Sequence, residues 1–310
     1  MDYLFIASKH MKTLNEVFND FFEYNKPLWS NRTRQYKKQA YRDHVKPYLG
    51  KTMVNEIKPI DILKVLRILE DQGKTKTTKF VLQILKKCFH LAVASTYCEF
   101  NPASSLTDAL KPHQTKNHPF VSESRMSYLF KALKEDGGLE LEFKVAFLLV
   151  TYTAVRVNEA CKARWPEFRF KQEQWNIPAS RMKRRRPHVV PLPKQAIELL
   201  QMWKEKCPSD DLVFPELRDL KKPMNSTRLV NAINKTSYKG KQTVHGLRGR
   251  FSTTAYESEL WRDDAIELSL AHSIPGTKGI YNKATYFSER KKLSQWYANK
   301  VEKWSNGFLD

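Results

Sequence analysis

Apolar residues recur every three to four positions along most of the chain, the spacing of one buried helix face. "KTLNEVFNDFFEY" opens with Thr13 and Glu16 at capping-box spacing and then places Val17, Phe18, Phe21 and Phe22 on one side. "SNRTRQYKKQAYRDHVKPYLG" predicts a second helix, amphipathic and strongly basic. "KPIDILKVLRILEDQGK" has Pro59 near its start and Gly73 just past its end, which brackets a third. "TTKFVLQILKKCFHLAVASTY" sets Phe80, Ile84, Leu85, Cys88 and Leu91 at helical intervals. A four-helix bundle over residues 1–106 follows.

Residues 107–117, "TDALKPHQTKN", are polar and contain Pro112, a linker composition. A second domain is expected over 118–310, and its pattern differs. "SESRMSYLFKALKED" and "LEFKVAFLLVTYTAVRVNEACKARW" read as helices. "QWNIPAS" and "HVVPLP" then read as two strands around the basic turn "RMKRRRP". Helices fill most of the rest, so the fold class is mainly α with a small β-sheet.

Charge narrows the function. Lys and Arg number 54 against 33 Asp and Glu, a formal net charge of +21, and the excess is spread over both domains. A polyanion touched by the whole protein fits this distribution better than a single basic tail does, and nucleic acid is such a partner. The apolar run "VAFLLV" is too short to span a bilayer, and no lipidation motif accompanies it. The four cysteines, Cys88, Cys98, Cys161 and Cys207, have neither CxxC nor Cys/His metal spacing and read as reduced thiols of a cytoplasmic protein.

Four stretches of the second domain concentrate groups able to hold a phosphate. "TAVRVNEA" has Arg156 and Glu159 three residues apart, a spacing that by itself usually means a surface ion pair. "SRMKRRRPHVV" carries Arg181, Lys183, Arg184, Arg185 and Arg186 on a hairpin tip, either a solvated charge run or a ribbon for a DNA groove. "TVHGLRGRFSTTAY" puts His245 and Arg248 on one helix face. "LAHSIPGTKGIY" supplies His272 and Tyr281. In the first domain Arg32, Arg34, Lys37, Lys38 and Arg42 fall mostly on the basic helix and are candidate contacts to the DNA backbone. Tyr286, Trp296 and Tyr297 are expected to be packing residues.

In this order and at these distances, the motifs resemble those of the tyrosine recombinases, the phage-integrase family. Its pattern is T-G-x-R-x-x-E, a hairpin Lys, H-x-L-R, L-G-H or L-A-H, and a Tyr nine residues after that His. Here "TAVRVNE", Lys183, "HGLR", "LAH" and Tyr281 match it in turn. "RMKRRRPHVVPLP" and "LAH…YNKATYFSERKKLSQW" look most like the integrases of P4-type prophages and genomic islands. Two departures stand out. Ala154 occupies the usual Gly position of the first box, a change expected to be tolerated on a helix. The chain also begins at the bundle rather than at the arm-binding domain usual in P4-type relatives, so it either lacks that domain or is a fragment.

The resemblance implies an N-terminal helical core-binding (SAM-like) bundle and a C-terminal catalytic domain. It assigns Arg156 and Arg248 to the phosphate, where forked guanidiniums suit the charge of a pentavalent transition state. It assigns Tyr281 as nucleophile, His245 as base, Lys183 as general acid, His272 as a phosphate contact and Glu159 as a support for Arg156. No cofactor and no metal are implied. The expected products are a 3′-phosphotyrosine and a Holliday junction, made by a homotetramer on two duplex attachment sites. Accessory DNA-bending or directionality proteins would assist, and the tail "KVEKWSNGFLD" would dock on a neighbouring protomer. Two other readings use the same residues: a topoisomerase IB-like or hairpin-forming strand transferase, and a non-catalytic DNA-binding regulator.

Overall fold

The computed structural model describes residues 11–112, 117–274 and 276–310, with backbone only at 278–280. Two compact units divide at residues 116 and 117.

The first unit is helical: α1 (Leu14–Asn25), α2 (Asn31–His44), α3 (Lys46–Leu49), α4 (Pro59–Asp71) and α5 (Thr75–Ala94). Helix α1 starts at the expected capping box. Thr13 accepts from the Glu16 amide, and the Glu16 carboxylate accepts from the Thr13 amide at 2.8 Å. Pro59 opens α4, and Gly73 follows it with φ +69°, the left-handed conformation that ends helices. Helices α1, α2 and α4 all pack on α5. Phe18 stacks on Tyr41 at 3.7 Å, and Ile84, Leu85 and Cys88 are fully buried. Leu106 and Leu110 complete this core, and the amide of Lys111 donates to Glu70 at 2.6 Å. The start of the segment expected to be a linker is therefore packed onto the bundle, while His113–Lys116 lie outside the described residues.

The second unit comprises α6 (Met126–Glu135), α7 (Leu141–Thr153), α8 (Val157–Cys161), β1 (Phe168–Arg169), β2 (Gln174–Ile177), β3 (His188–Pro191), α9 (Lys194–Lys204), β4 (Pro215–Glu216), β5 (Asp219–Pro223), α10 (Thr227–Lys235), α11 (Gly246–Glu257), α12 (Asp263–Ser269), α13 (Gly276–Tyr281) and α14 (Phe287–Trp304). Helix α7 is buried on every side except at Leu141 and Lys144 and packs against α8, α9, α10, α11 and α14. The expected hairpin pairs β2 with β3 antiparallel, Trp175 opposite Val190, and β1 adds a third strand. Trp175 is fully buried and stacks on Phe168 at 5.0 Å. The two-stranded β4–β5 sheet was not anticipated, because its exposed Lys221 and Lys222 hide any strand-like alternation.

Three expectations are corrected. The stretch "LEFKVAFLLVTYTAVRVNEAC" is two helices rather than one, because Ala154 takes φ +50° and ends α7. The Ala for Gly exchange is therefore accommodated in a left-handed cap and not on a helix. The C-terminal tail packs on its own unit: Phe308 is 2 % exposed, its ring 5.0 Å from Phe130, and Lys134 donates to the Gly307 carbonyl at 2.7 Å. Lys37 is the third, because it is half-buried and its ammonium faces aromatic rings. Its ammonium lies 4.7 Å from the Trp29 ring, 5.3 Å from Phe80 and 5.9 Å from Phe21, and burial lowers its pKa. Tyr297, as expected, is core, edge-on to Phe251.

A left-handed alanine costs about 1–2 kcal/mol, partly offset by the lower unfolded-state entropy of Ala relative to Gly. Ala154→Gly is expected to stabilise the second unit by about 1 kcal/mol and raise its melting temperature by ~2–4 °C. A melting curve unchanged or shifted downward would contradict this account of the cap.

Candidate functional site

The break after α7 shapes the site. Ala154 turns the chain so that Arg156 stands at the N-terminal cap of α8. Glu159, 4 % exposed, accepts from the Arg156 amide at 2.8 Å and from its guanidinium at 2.9 Å. This pair is largely buried and is not the surface ion pair that its spacing alone suggests.

Arg248 lies in the first turn of α11 and is 5 % exposed. Its guanidinium donates to the carbonyl of Ala154 and, at 2.7 Å, to that of Leu270. Both carbonyls lie at helix C-termini, of α7 and α12, where the helix dipole favours a cation. Burial and then the nearby Arg156 charge lower the Arg248 pKa, against the pull of Glu159 and Glu267, to about 10. The two guanidiniums are close enough to repel.

His272 follows α12, its Nε2 3.5 Å from an Arg248 nitrogen. Its Nδ1 is 2.7 Å from the Glu267 carboxylate, which also accepts from the Tyr256 hydroxyl at 3.2 Å. Glu267 was not singled out in the sequence; its place five residues before His272, across a helix end, was the available signal. His245 caps α11 and is exposed at the rim. Partial burial of its ring, followed by repulsion from His118, Arg248, Arg156 and His272, lowers its pKa to about 4. At neutral pH it is an unprotonated imidazole.

Arg156, Glu159, His245, Arg248 and His272 are thus gathered at one place. Lys183 and Tyr281 are not in contact with them among the described residues. Lys183 is exposed in the 178–187 connection of the hairpin. Tyr281 is the last residue of α13 and is 84 % exposed. The residue after it is fastened: Asn282 donates to the Tyr286 hydroxyl at 2.8 Å and to Asp264 at 3.5 Å. Tyr286 is a half-buried structural residue under the Arg262 guanidinium.

The hairpin's cations divide. Arg184 donates to the Ser273 hydroxyl, beside His272, and Arg185 and Arg186 are exposed. Arg181 does not belong with them, which corrects its reading as a DNA contact. It forms an ion pair with buried Glu167 at 2.7 Å and donates to the backbone carbonyls of Glu159 and Lys162. Glu167 also accepts from the Trp175 indole, so Arg181 locks the sheet to α8. A cleft of about 760 Å³ opens between Arg184, Arg186 and His188 of the hairpin and His272 and Asn282 opposite. Arg290, 4 % exposed and missed in the sequence, donates to the Val189 carbonyl at 2.7 Å and to Ser269, fixing hairpin against α12. In the first unit Arg32, Lys38 and Arg42 are exposed; Arg42 pairs with Asp43, and Arg34 donates to the Lys26 carbonyl.

Two measurements test this arrangement. Arg181→Met leaves the Glu167 carboxylate buried without its cation, a loss of about 3 kcal/mol seen in the urea midpoint. It leaves the salt slope of DNA binding unchanged, whereas Arg186→Ala lowers that slope by about one. His188, buried beside Arg290, Arg248 and Arg156, is held neutral with a pKa lowered to about 3. The unfolded chain takes up this proton near pH 6.5, so the associated stability is complete above that pH and is lost as pH falls towards 3. Urea midpoints from pH 7 to 4 should fall, and His188→Gln should flatten the slope; parallel slopes for the two proteins would refute the assignment.

The phage integrase family profile matches residues 119–287, and that of the phage integrase central domain matches residues 14–109. The integrase of Shigella phage Sf6 is 32 % identical over 295 residues, covering 94 % of this chain and 76 % of that protein. The integrase of Enterobacteria phage P4 is 28 % identical over 313 residues, covering 96 % and 71 %. In fold, the chain is similar to a lambda integrase tetramer bound to a Holliday junction, with a TM-score of 0.69 at 16 % identity over 88 % of this chain and 81 % of that one. Among the described residues no helix is long and apolar enough to cross a membrane. The chain belongs to the phage integrase family and is a site-specific tyrosine recombinase, an enzyme that transfers DNA strands.

Proposed function

We propose that this recombinase cleaves and rejoins its DNA sites through Tyr281, with Arg156, Arg248 and His272 holding the scissile phosphate. The observation that supports this reading is the approach of two guanidiniums, of which Arg156 is paired with Glu159 while buried Arg248 is held by backbone carbonyls, with no ion pair of its own among the described residues. A phosphodiester entering between them supplies the missing anion, and its charge grows in the pentavalent transition state, when the arginines bind it best. Glu159 fixes Arg156. Glu267 fixes the His272 ring by holding its Nδ1 side, which leaves Nε2 to the phosphate.

The Tyr281 oxygen attacks phosphorus, and its proton passes to neutral His245. The bond from phosphorus to the 5′-oxygen breaks, and Lys183 gives that oxygen a proton. The phosphate remains on the enzyme as a 3′-phosphotyrosine ester, so the 5′-hydroxyl of a second strand can reverse the step without ATP. Lys183 and Tyr281 sit on exposed segments and join the other five when DNA fills the cleft. Arg32, Lys38 and Arg42 on α2, with Arg184, Arg185 and Arg186 on the hairpin, contact the DNA backbone. Two duplexes and four copies of the chain then exchange strands through a Holliday junction, to which the lambda integrase tetramer is bound, with accessory DNA-bending proteins where sites must be brought together. The enzyme works in the cytoplasm on the DNA of its element and host.

The test uses a nicked duplex carrying the attachment core of the element. Wild-type protein and Tyr286→Phe should form a detergent-resistant protein–DNA adduct, and Tyr281→Phe should form none. Adduct retained in Tyr281→Phe and lost in Tyr286→Phe would overturn the assignment.

A further inference from the structure

The first residues of the second unit, His118 to Val121, lie as a strap across the start of α11. The Pro119 carbonyl accepts from the Thr243 amide at 3.0 Å, and the Val121 amide donates to the side chain of Gln242, which is 1 % exposed, also at 3.0 Å. Arg250 lies over the Phe120 ring at 5.4 Å and donates to the Val121 carbonyl. Two glycines make the fit possible. A Cβ on Gly246 would stand 2.3 Å from the Pro119 carbonyl oxygen, and one on Gly249 would stand 2.7 Å from the Phe120 ring. The glycine of "HGLR" is therefore required by the strap's close approach.

The strap delivers one imidazole to the site. The His118 ring meets the His245 ring edge to face, centroids 4.5 Å apart at 60°. Both rings are exposed on the same rim, where DNA must enter. Nothing in the packing of the unit demands an imidazole at 118, since Pro119, Phe120 and Val121 make the anchoring contacts. We infer that His118 is a positioning residue of the strand-transfer reaction, its ring holding the His245 imidazole in the orientation that receives the Tyr281 proton. The inference rests on His245 acting as the base.

His118 also bears on the His245 pKa. The cationic or titratable groups facing His245 are His118 from the strap, Arg248 from α11, Arg156 at the start of α8, and His272 after α12; after burial, His118 is the first of them in lowering the His245 pKa. A base must be unprotonated to work, so removing His118 moves the acid limb of the cleavage profile to higher pH.

Adduct formation on the nicked duplex, measured at saturating DNA from pH 4.5 to 8, separates the possibilities. His118→Ala should slow the step by about tenfold or more at every pH, since a displaced catalytic group costs rate steeply. His118→Phe keeps an aromatic edge against His245, so its rate at pH 8 should stay within a few-fold of wild type, while its acid limb moves upward as in His118→Ala. DNA affinity and urea midpoints should be unchanged in both. Wild-type rates and an unmoved acid limb in both variants would overturn the inference. Adduct persisting in Tyr281→Phe would instead overturn the reading of the centre on which it stands.

Discussion

A guanidinium buried away from water must be given acceptors, and much of the second unit is arranged to give them to Arg248. Its two carbonyl partners, at Ala154 and Leu270, close α7 and α12, and each lies at a left-handed turn: Ala154 has φ +50° and Ala271, next to Leu270, has φ +52°. Three helices are therefore registered on one side chain. The helix C-termini contribute their dipoles as well as their free oxygens, so the cation is stabilised without a carboxylate of its own.

The same economy governs the neighbours. Glu159 is spent on Arg156, and its two oxygens fix both the backbone amide and the side chain of that residue. Glu267 is held on the far side of His272. Each carboxylate orients a cationic or proton-bearing group from behind and leaves the inward face open. The hairpin is fixed by similar means: Arg181 against Glu167 at its base and Arg290 against the Val189 carbonyl. What remains loosely held is the connection between the strands, where Lys183 to Arg186 are exposed.

Much of this was legible in the sequence because it is local. Helical periodicity, the Thr13 capping box, the strands flanking "RMKRRRP" and the spacing of five motifs each depend on residues near one another in the chain. Ala154 was misjudged because a left-handed cap is set by the meeting of two helices and not by the residue that occupies it. Arg181 and Lys37 looked like their charged neighbours. Their partners lie elsewhere in the chain, Glu167 for the first and Phe21, Trp29 and Phe80 for the second, and only folding shows which cations of a basic stretch are turned inward. Phe308 was missed as a core residue for the same reason: its contacts, Phe130 and Phe147, are more than a hundred residues away. Glu267 lay within reach of local reading but was hidden by its ordinariness on a helix.

The separation of Tyr281 from the arginines also has a physical logic. A phenol is a weak nucleophile until a base takes its proton, and a pair of close guanidiniums repels until an anion lies between them. In the proposed reaction one phosphate serves both groups. It screens the arginines from each other and presents phosphorus to the incoming oxygen. Asn282, tied to Tyr286 and Asp264, anchors the chain one residue beyond Tyr281. In the proposed reaction this dependence is useful, because the nucleophile meets its activating groups only where a bound duplex has already joined them.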